Sequence, residues 1–260
     1  MGLKEFFGIG KGKTLLHTGC LLGKYENHDI RKNYELVLKK LGVDYVTEKD
    51  LGLDKPIICG SLALDLGFER EFIKIARNNL RLLRTLGVKR IIATCPECYK
   101  SLSVDYKEFL MDWDLEVVNV IIPITQKMMG RRVFRDVGFD ITLHDSPYLS
   151  RYCNIIEQPR KLLSILGHNV LELFYSKNNT LDSGSSGGLP YTNPEIADSV
   201  SLLRLQQIKN LGVRTLVTIG IRDYEHLKRN SEKNKVGVDV LEISQLLSHA
   251  LGLIKMEVRI

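Results

Sequence analysis

Two stretches of the chain run parallel in character: Leu211-Gly212-Val213-Arg214-Thr215-Leu216-Val217-Thr218 follows Leu86-Gly87-Val88-Lys89-Arg90-Ile91-Ile92-Ala93. In each, a leucine and a glycine close a segment of helical spacing and a β-branched run follows, the pattern of a helix feeding a buried strand. The likeness continues, setting Gly220 opposite Cys95, Asp223 opposite Cys98, and Tyr224 and Leu227 opposite Tyr99 and Leu102. Earlier in each half, Leu143-His144-Asp145-Ser146-Pro147 parallels Leu16-His17-Thr18-Gly19-Cys20, and Ser185-Ser186-Gly187 parallels Ile58-Cys59-Gly60. Strands alternating with helices in both halves imply an α/β fold of two pseudo-repeated parallel-sheet (Rossmann-like) domains. A lead-in over 1–13, a cysteine-containing domain over 14–130 and a second domain over 140–260 are expected.

In the first half the spacing predicts strands at Thr14 to His17, Val43 to Val46, Arg90 to Thr94 and Leu115 to Ile122. Helices are predicted from Asp29 to Leu41 and from Glu69 to Leu86. The run Lys55-Pro56-Ile57-Ile58-Cys59 also reads as a strand. Thr94-Cys95-Pro96-Glu97-Cys98-Tyr99 lies where a strand turns into a helix, with Pro96 suited to the first helical position. A helix N-terminus favours thiolate over thiol, so Cys95 and Cys98 read as half of a metal site. Right-handed crossovers put all strand-end turns of a parallel sheet on one edge, which brings Cys20, Cys59, Cys95 and Cys98 toward one crevice. Four thiolates complete a tetrahedral set for zinc or for a cubane iron–sulfur cluster. Cys153 reads as a small buried apolar residue. His17 and His144 read as packed histidines at equivalent strand ends.

Charge excludes one class of partner. The net charge is +6 and the isoelectric point near 9.0, yet residues 1–130 carry 20 Lys and Arg against 17 Asp and Glu, and the remainder 17 against 14. Without a basic block, nucleic-acid binding is not expected. No apolar run approaches the roughly 20 residues of a membrane span, and Met1 to Lys13 lacks a secretory core. A cytoplasmic protein with no direct membrane insertion is expected. Five cysteines, an odd number with a C-x-x-C pair, suit metal or redox use in a reducing compartment better than a disulfide framework.

Two other motifs fail on context. Gly8-Ile9-Gly10-Lys11-Gly12-Lys13-Thr14 lacks the spacing of a phosphate loop and precedes a strand where a helix is required. Gly184-Ser185-Ser186-Gly187-Gly188 satisfies G-x-S-x-G, but the polar stretch Tyr175 to Thr180 stands where a nucleophile elbow needs a buried strand.

The cysteine turn, His144-Asp145-Ser146-Pro147-Tyr148-Leu149-Ser150-Arg151 and Asp182 to Gly188 together resemble the cysteine-rich CCG-domain iron–sulfur proteins. That family includes heterodisulfide reductase catalytic subunits, the iron–sulfur subunits of glycolate oxidase and anaerobic glycerol-3-phosphate dehydrogenase, and lactate-utilisation proteins. Its pattern, repeated twice, is one cysteine, a Cys-Cys-Gly, then a Cys-x-x-Cys. Here Ile58 replaces the first cysteine of the first Cys-Cys-Gly. The second repeat has Pro147, Ser185, Ser186, Gly220 and Asp223 at all five of its positions. The resemblance therefore implies one ordinary [4Fe-4S] cluster on Cys20, Cys59, Cys95 and Cys98, with zinc as the alternative. It implies electron transfer within a heterodisulfide-reductase-like or dehydrogenase-like complex, alongside ferredoxin-like or flavoprotein subunits. The competing expectation is a non-catalytic scaffold with a structural zinc site. A free Cys95–Cys98 dithiol is a third reading, and it leaves Cys20 and Cys59 unexplained.

Overall fold

In the computed structural model, which describes residues 12–19, 28–131 and 138–256, adjacent leucines of the first strand enter different cores. Leu15 packs with Phe72, Leu80, Ile91 and Tyr106 in a cluster confined to the first half of the chain. Leu16 joins Tyr34 and Ile92 in a larger cluster that also holds Ile141, Leu216 and Leu246 of the second half. Successive strand residues point to opposite faces, and a parallel sheet is covered on both.

The first sheet consists of β1 (Lys13–His17), β2 (Val88–Ala93) and β3 (Glu116–Asn119), parallel and in that order. The second contains β4 (Asp140–Leu143), β5 (Asn169–Val170), β6 (Thr215–Thr218) and β7 (Asp239–Glu242), parallel in the order β5-β4-β6-β7. The strand expected at Val43 to Val46 is reduced to one parallel bridge. Val46 accepts from Leu16 N–H and donates to the Thr14 carbonyl, both at 2.8 Å. That bridge takes the edge place on β1 that β5 takes on β4, so the two sheets share one topology. The fold is the expected pair of pseudo-repeated parallel-sheet units.

Helices α1 (His28–Lys40), α2 (Ser61–Asp65) and α3 (Glu69–Thr85) precede β2. After β2 come α4 (Pro96–Lys100), a π-helical turn over Ser101–Asp105 and α5 (Tyr106–Phe109), then α6 (Ile121–Met128) after β3. The second half carries a π-helical turn at Tyr148–Tyr152, α7 (Glu157–Ile165), α8 (Leu189–Thr192), α9 (Pro194–Leu211), α10 (Ile221–Lys233) and α11 (Ile243–Ala250). Across the shared core, Tyr34 on α1 donates to Glu242 at 2.6 Å, and Glu242 also begins α11 as its cap.

Two expected strands are corrected. Lys55 to Cys59 is not a strand. Its carbonyls are taken by side chains rather than by a neighbouring strand, and Ile58 is 56% exposed. The run at Leu115 to Ile122 stops as a strand at Asn119, whose side chain accepts from Ile121 N–H at 3.1 Å and opens α6 instead. Most of the expected lead-in, through Lys11, lies outside the described residues.

Candidate functional site

Cys59 is held by distant side chains. Asn79 on α3 donates to the Ile58 carbonyl and to the Tyr106 hydroxyl, both at 2.7 Å. Tyr106 in turn donates to the Cys59 carbonyl at 3.0 Å, and Ser101 donates to the same carbonyl at 3.2 Å. Ser101 and Tyr106 stand five residues apart, and the π-helical turn between them puts both on one acceptor. Tyr106 is itself fixed edge-on against Phe72 and Trp113, with ring centroids 5.6 and 4.7 Å away. Gly60, at φ +83°, reverses the chain into α2.

Cys95 and Cys98 flank the start of α4 as expected, with Pro96 in the first turn. Both are buried, and the Cys98 thiol lies in hydrogen-bonding reach of Cys59 and Cys95. Those two contacts and burial push the Cys98 thiol well above its ordinary range. The contact with Cys98 favours Cys95 thiolate, but burial and the Glu97 carboxylate outweigh it and push Cys95 up as well. The thiolate preference expected at the helix start is thus overturned, at Cys98 by its two thiol neighbours and burial and at Cys95 by burial and Glu97. A free reactive dithiol needs an exposed, electropositive setting. Metal ligation, by contrast, deprotonates a coordinating thiol outright.

A carboxylate stands over this group. Cys95 Sγ donates to Glu97 Oε2 at 2.8 Å, and Glu97 Oε1 lies 3.6 Å from Nη1 of Arg222 on α10. A cavity of about 490 Å³ is bounded by the three thiols, Glu97 and Arg222 on one side and by the apolar Ile58, Leu62, Leu66 and Ile75 on the other.

The matching turn of the second half has no thiols. Asp223 accepts from Ser183 at 2.6 Å and from Ser185 at 3.0 Å, and His144 Nε2 stands 3.5 Å away. Burial raises the Asp223 pKa, but the neighbouring His144 and the two hydroxyls more than offset it and hold the carboxyl below its usual range. Ser185, rather than Ser186, faces Asp223 as Cys59 faces Cys98, its hydroxyl making the hydrogen bond to that carboxylate. His17 and His144 are both buried at strand ends, with His17 Nδ1 3.5 Å from Glu48.

Of the four expected ligands, Cys59, Cys95 and Cys98 come together, while Cys20 lies outside the described residues. Among the described residues no group of three or more His, Cys, Asp or Glu is set out as a metal site, and the three thiols stand as a partial donor set. Gly19, the residue before Cys20, lies against Cys95 and Cys98: a Cβ on it, at φ +81°, would stand 3.2 Å from Cys98 Sγ and 3.4 Å from Cys95 Cβ. Cys153 is half-buried with its thiol pushed up to about 11, chiefly by burial. The sequence reading missed Glu97, Arg222, Asn79, Ser101 and Tyr106. Only Glu97 and Arg222 carried a signal, since they occupy corresponding places in the two repeats.

Residues 14–103 match the family described as Cysteine-rich domain, CCG. The chain is 28% identical over 249 residues to an uncharacterized iron-sulfur protein of Methanocaldococcus jannaschii, covering 93% of this chain and 47% of that protein. It is 25% identical over 250 residues to one of the subunits of the dihydromethanophenazine:CoB--CoM heterodisulfide reductase of Methanosarcina acetivorans, covering 94% of this chain and 60% of that one. The chain thus spans about half the length of the curated relatives it matches. A crystal structure of a hypothetical protein from Helicobacter pylori shares the fold, with a TM-score of 0.64 and 14% identity, over 94% of this chain and 50% of that one. Among the described residues no helix is long and apolar enough to cross a membrane.

Proposed function

We propose that this chain, whose residues 14–103 match the CCG cysteine-rich domain family, is an iron–sulfur electron-transfer subunit of a larger oxidoreductase. The observation that carries this reading is the meeting of Cys59, Cys95 and Cys98 beneath Gly19, the residue before Cys20. We assign those four cysteines to one [4Fe-4S] cluster. Thiolate-held clusters of this kind supply one-electron transfer, with potentials set by charge, hydrogen bonding and solvent exposure. The chain's own part is to hold the ligands: Asn79, Ser101 and Tyr106 fix the backbone at Cys59, α4 fixes Cys95 and Cys98, and the apolar Leu62, Leu66 and Ile75 line the cavity beside them. The relatives named as iron-sulfur and heterodisulfide reductase proteins support iron over zinc and a multi-subunit setting. Ferredoxin-like or flavoprotein subunits are the proposed electron partners. The second half, with its thiols replaced, serves as the far wall of the site rather than as a second redox centre.

Metal and sulfide analysis of anaerobically purified protein tests this directly. About four iron and four sulfide per chain are expected, with a visible absorption band that dithionite bleaches. Cys98→Ser should remove most of the iron, whereas Cys153→Ser should leave it unchanged. About one zinc per chain and no visible band would overturn the reading.

A further inference from the structure

Glu97 and Arg222 occupy the same place in the two repeats, one residue before Cys98 and one before Asp223. They also meet in space, because the two turns face each other. A Cβ on Gly220, the counterpart of Cys95, would lie 2.4 Å from Pro96 Cδ, and the Glu97 and Arg222 side chains pair at 3.6 Å. We propose that Arg222, supplied by the second half, raises the reduction potential of the cluster held by the first.

The inference rests on the iron–sulfur reading and adds a role for the half that has lost its cysteines. Arg222 is only 6% exposed and is anchored by donating through Nη2 to the Ser185 carbonyl at 2.6 Å. It borders the same cavity as Cys59, Cys95 and Cys98, with the Glu97 side chain between it and Cys95, Oε1 3.6 Å from Arg222 Nη1 and Oε2 2.8 Å from Cys95 Sγ. A guanidinium stays charged throughout the working pH range, and a buried charge is screened far less than one in water. Adding an electron makes a thiolate-ligated cluster more negative. A fixed cation on its wall therefore favours the reduced form, and the neighbouring Glu97 opposes it. Ser185 then has a purpose: its carbonyl aims the guanidinium across the boundary between the halves.

Mediated redox titration of the anaerobic protein, with iron and sulfide measured on every sample, tests the proposal. Arg222→Gln is expected to shift the midpoint to more negative potential at unchanged iron content. Arg222→Lys, which keeps the charge, is expected to stay near wild type. Glu97→Gln is expected to shift the midpoint the other way, and the double variant to lie between the single ones. Full iron with an unmoved midpoint in Arg222→Gln would overturn the proposal, as would equal shifts in the Gln and Lys variants. Arg222 would then serve only to join the halves, seen as a lower melting temperature at constant potential. Wild-type protein without iron or sulfide would overturn the iron–sulfur reading itself, and metal analysis reveals that before any potential is read.

Discussion

Past β2 the chain turns through Cys95 and Cys98 toward Cys59, and past β6 the same turn runs through Gly220 and Asp223 toward Ser185. Both sites are buried, so both must satisfy or avoid polar groups. The second satisfies its carboxylate internally: Asp223 receives two hydroxyl donors and faces a histidine. The first presents three thiols, weak donors and weak acceptors, beside a cavity of about 490 Å³. A site closed by its own hydrogen bonds needs no ligand to complete it. On the proposed reading, it is a metal centre that completes the cluster of thiols.

The contrast can be attacked at Gly220, where the second turn has lost the first cysteine of its C-x-x-C. Its φ of 100° and ψ of 144° belong to a region kept almost wholly by glycine, and a Cβ there would strike Pro96 at 2.4 Å. Gly220→Ala combines backbone strain with overpacking against the opposite turn, and a loss of about 3 kcal/mol or more is expected. Urea denaturation measures it. A near-neutral result would mean that the halves separate freely, and that the second site is not barred from regaining its thiols by its neighbour.

The next largest effect belongs to Asp223. Its folded-state pKa lies below the ordinary value because the hydroxyls of Ser183 and Ser185 and the facing His144 outweigh burial. A depressed carboxylate stabilises the fold at pH above the unfolded-state value of about 3.9, and that stability is lost as pH falls through the lower folded-state value. Asp223→Asn should therefore cost about 2 kcal/mol at pH 7, and the gap from wild type should close as the pH is taken below about 4. Urea midpoints at pH 7 and pH 3 read the difference. A gap independent of pH would show that hydrogen bonding alone, without the charge, closes the second site.

Much of this comparison was legible in the sequence, because helical faces and strand runs repeat. The face of α3 carrying Phe72, Ala76, Leu80 and Leu83 is buried as its spacing predicts, and Ile30, Tyr34, Val37 and Leu38 bury α1 against the shared core. The losses came where long-range contacts override local pattern. Ile57-Ile58-Cys59 has strand character, but Asn79, Ser101 and Tyr106 take its carbonyls from 21 to 47 residues away. At Leu115 to Ile122 the β-branched residues on both sides of Asn119 hid the end of β3, although Ile121, Ile124 and Met128 already had helical spacing. The pairing of Cys59 with Ser186 slipped by one residue, because it is the Ser185 hydroxyl that reaches Asp223 across 38 residues of chain. No local pattern announces a pairing such as Glu97 with Arg222, because it depends on how the two halves face each other.

The smallest predicted effect concerns how firmly the first site is held compared with the second. Tyr106→Phe keeps the ring packed against Phe72 and Trp113 while removing the hydroxyl that donates to the Cys59 carbonyl and accepts from Asn79. Ser101 still donates to that carbonyl and Asn79 still reaches the Ile58 carbonyl. Two hydrogen bonds go, but the Cys59 carbonyl keeps a donor, so the cost should be chiefly that of one Asn79 N–H left without its acceptor, about 1 kcal/mol. The second site does not share this anchor, so the loss should appear as faster amide exchange around Cys59 and slower recovery of iron after chelation, with exchange around Ser185 unchanged. Equal loosening of both sites would mean that Tyr106 supports the shared core rather than the cysteine loop. The loop's rigidity would then have to come from the metal centre itself.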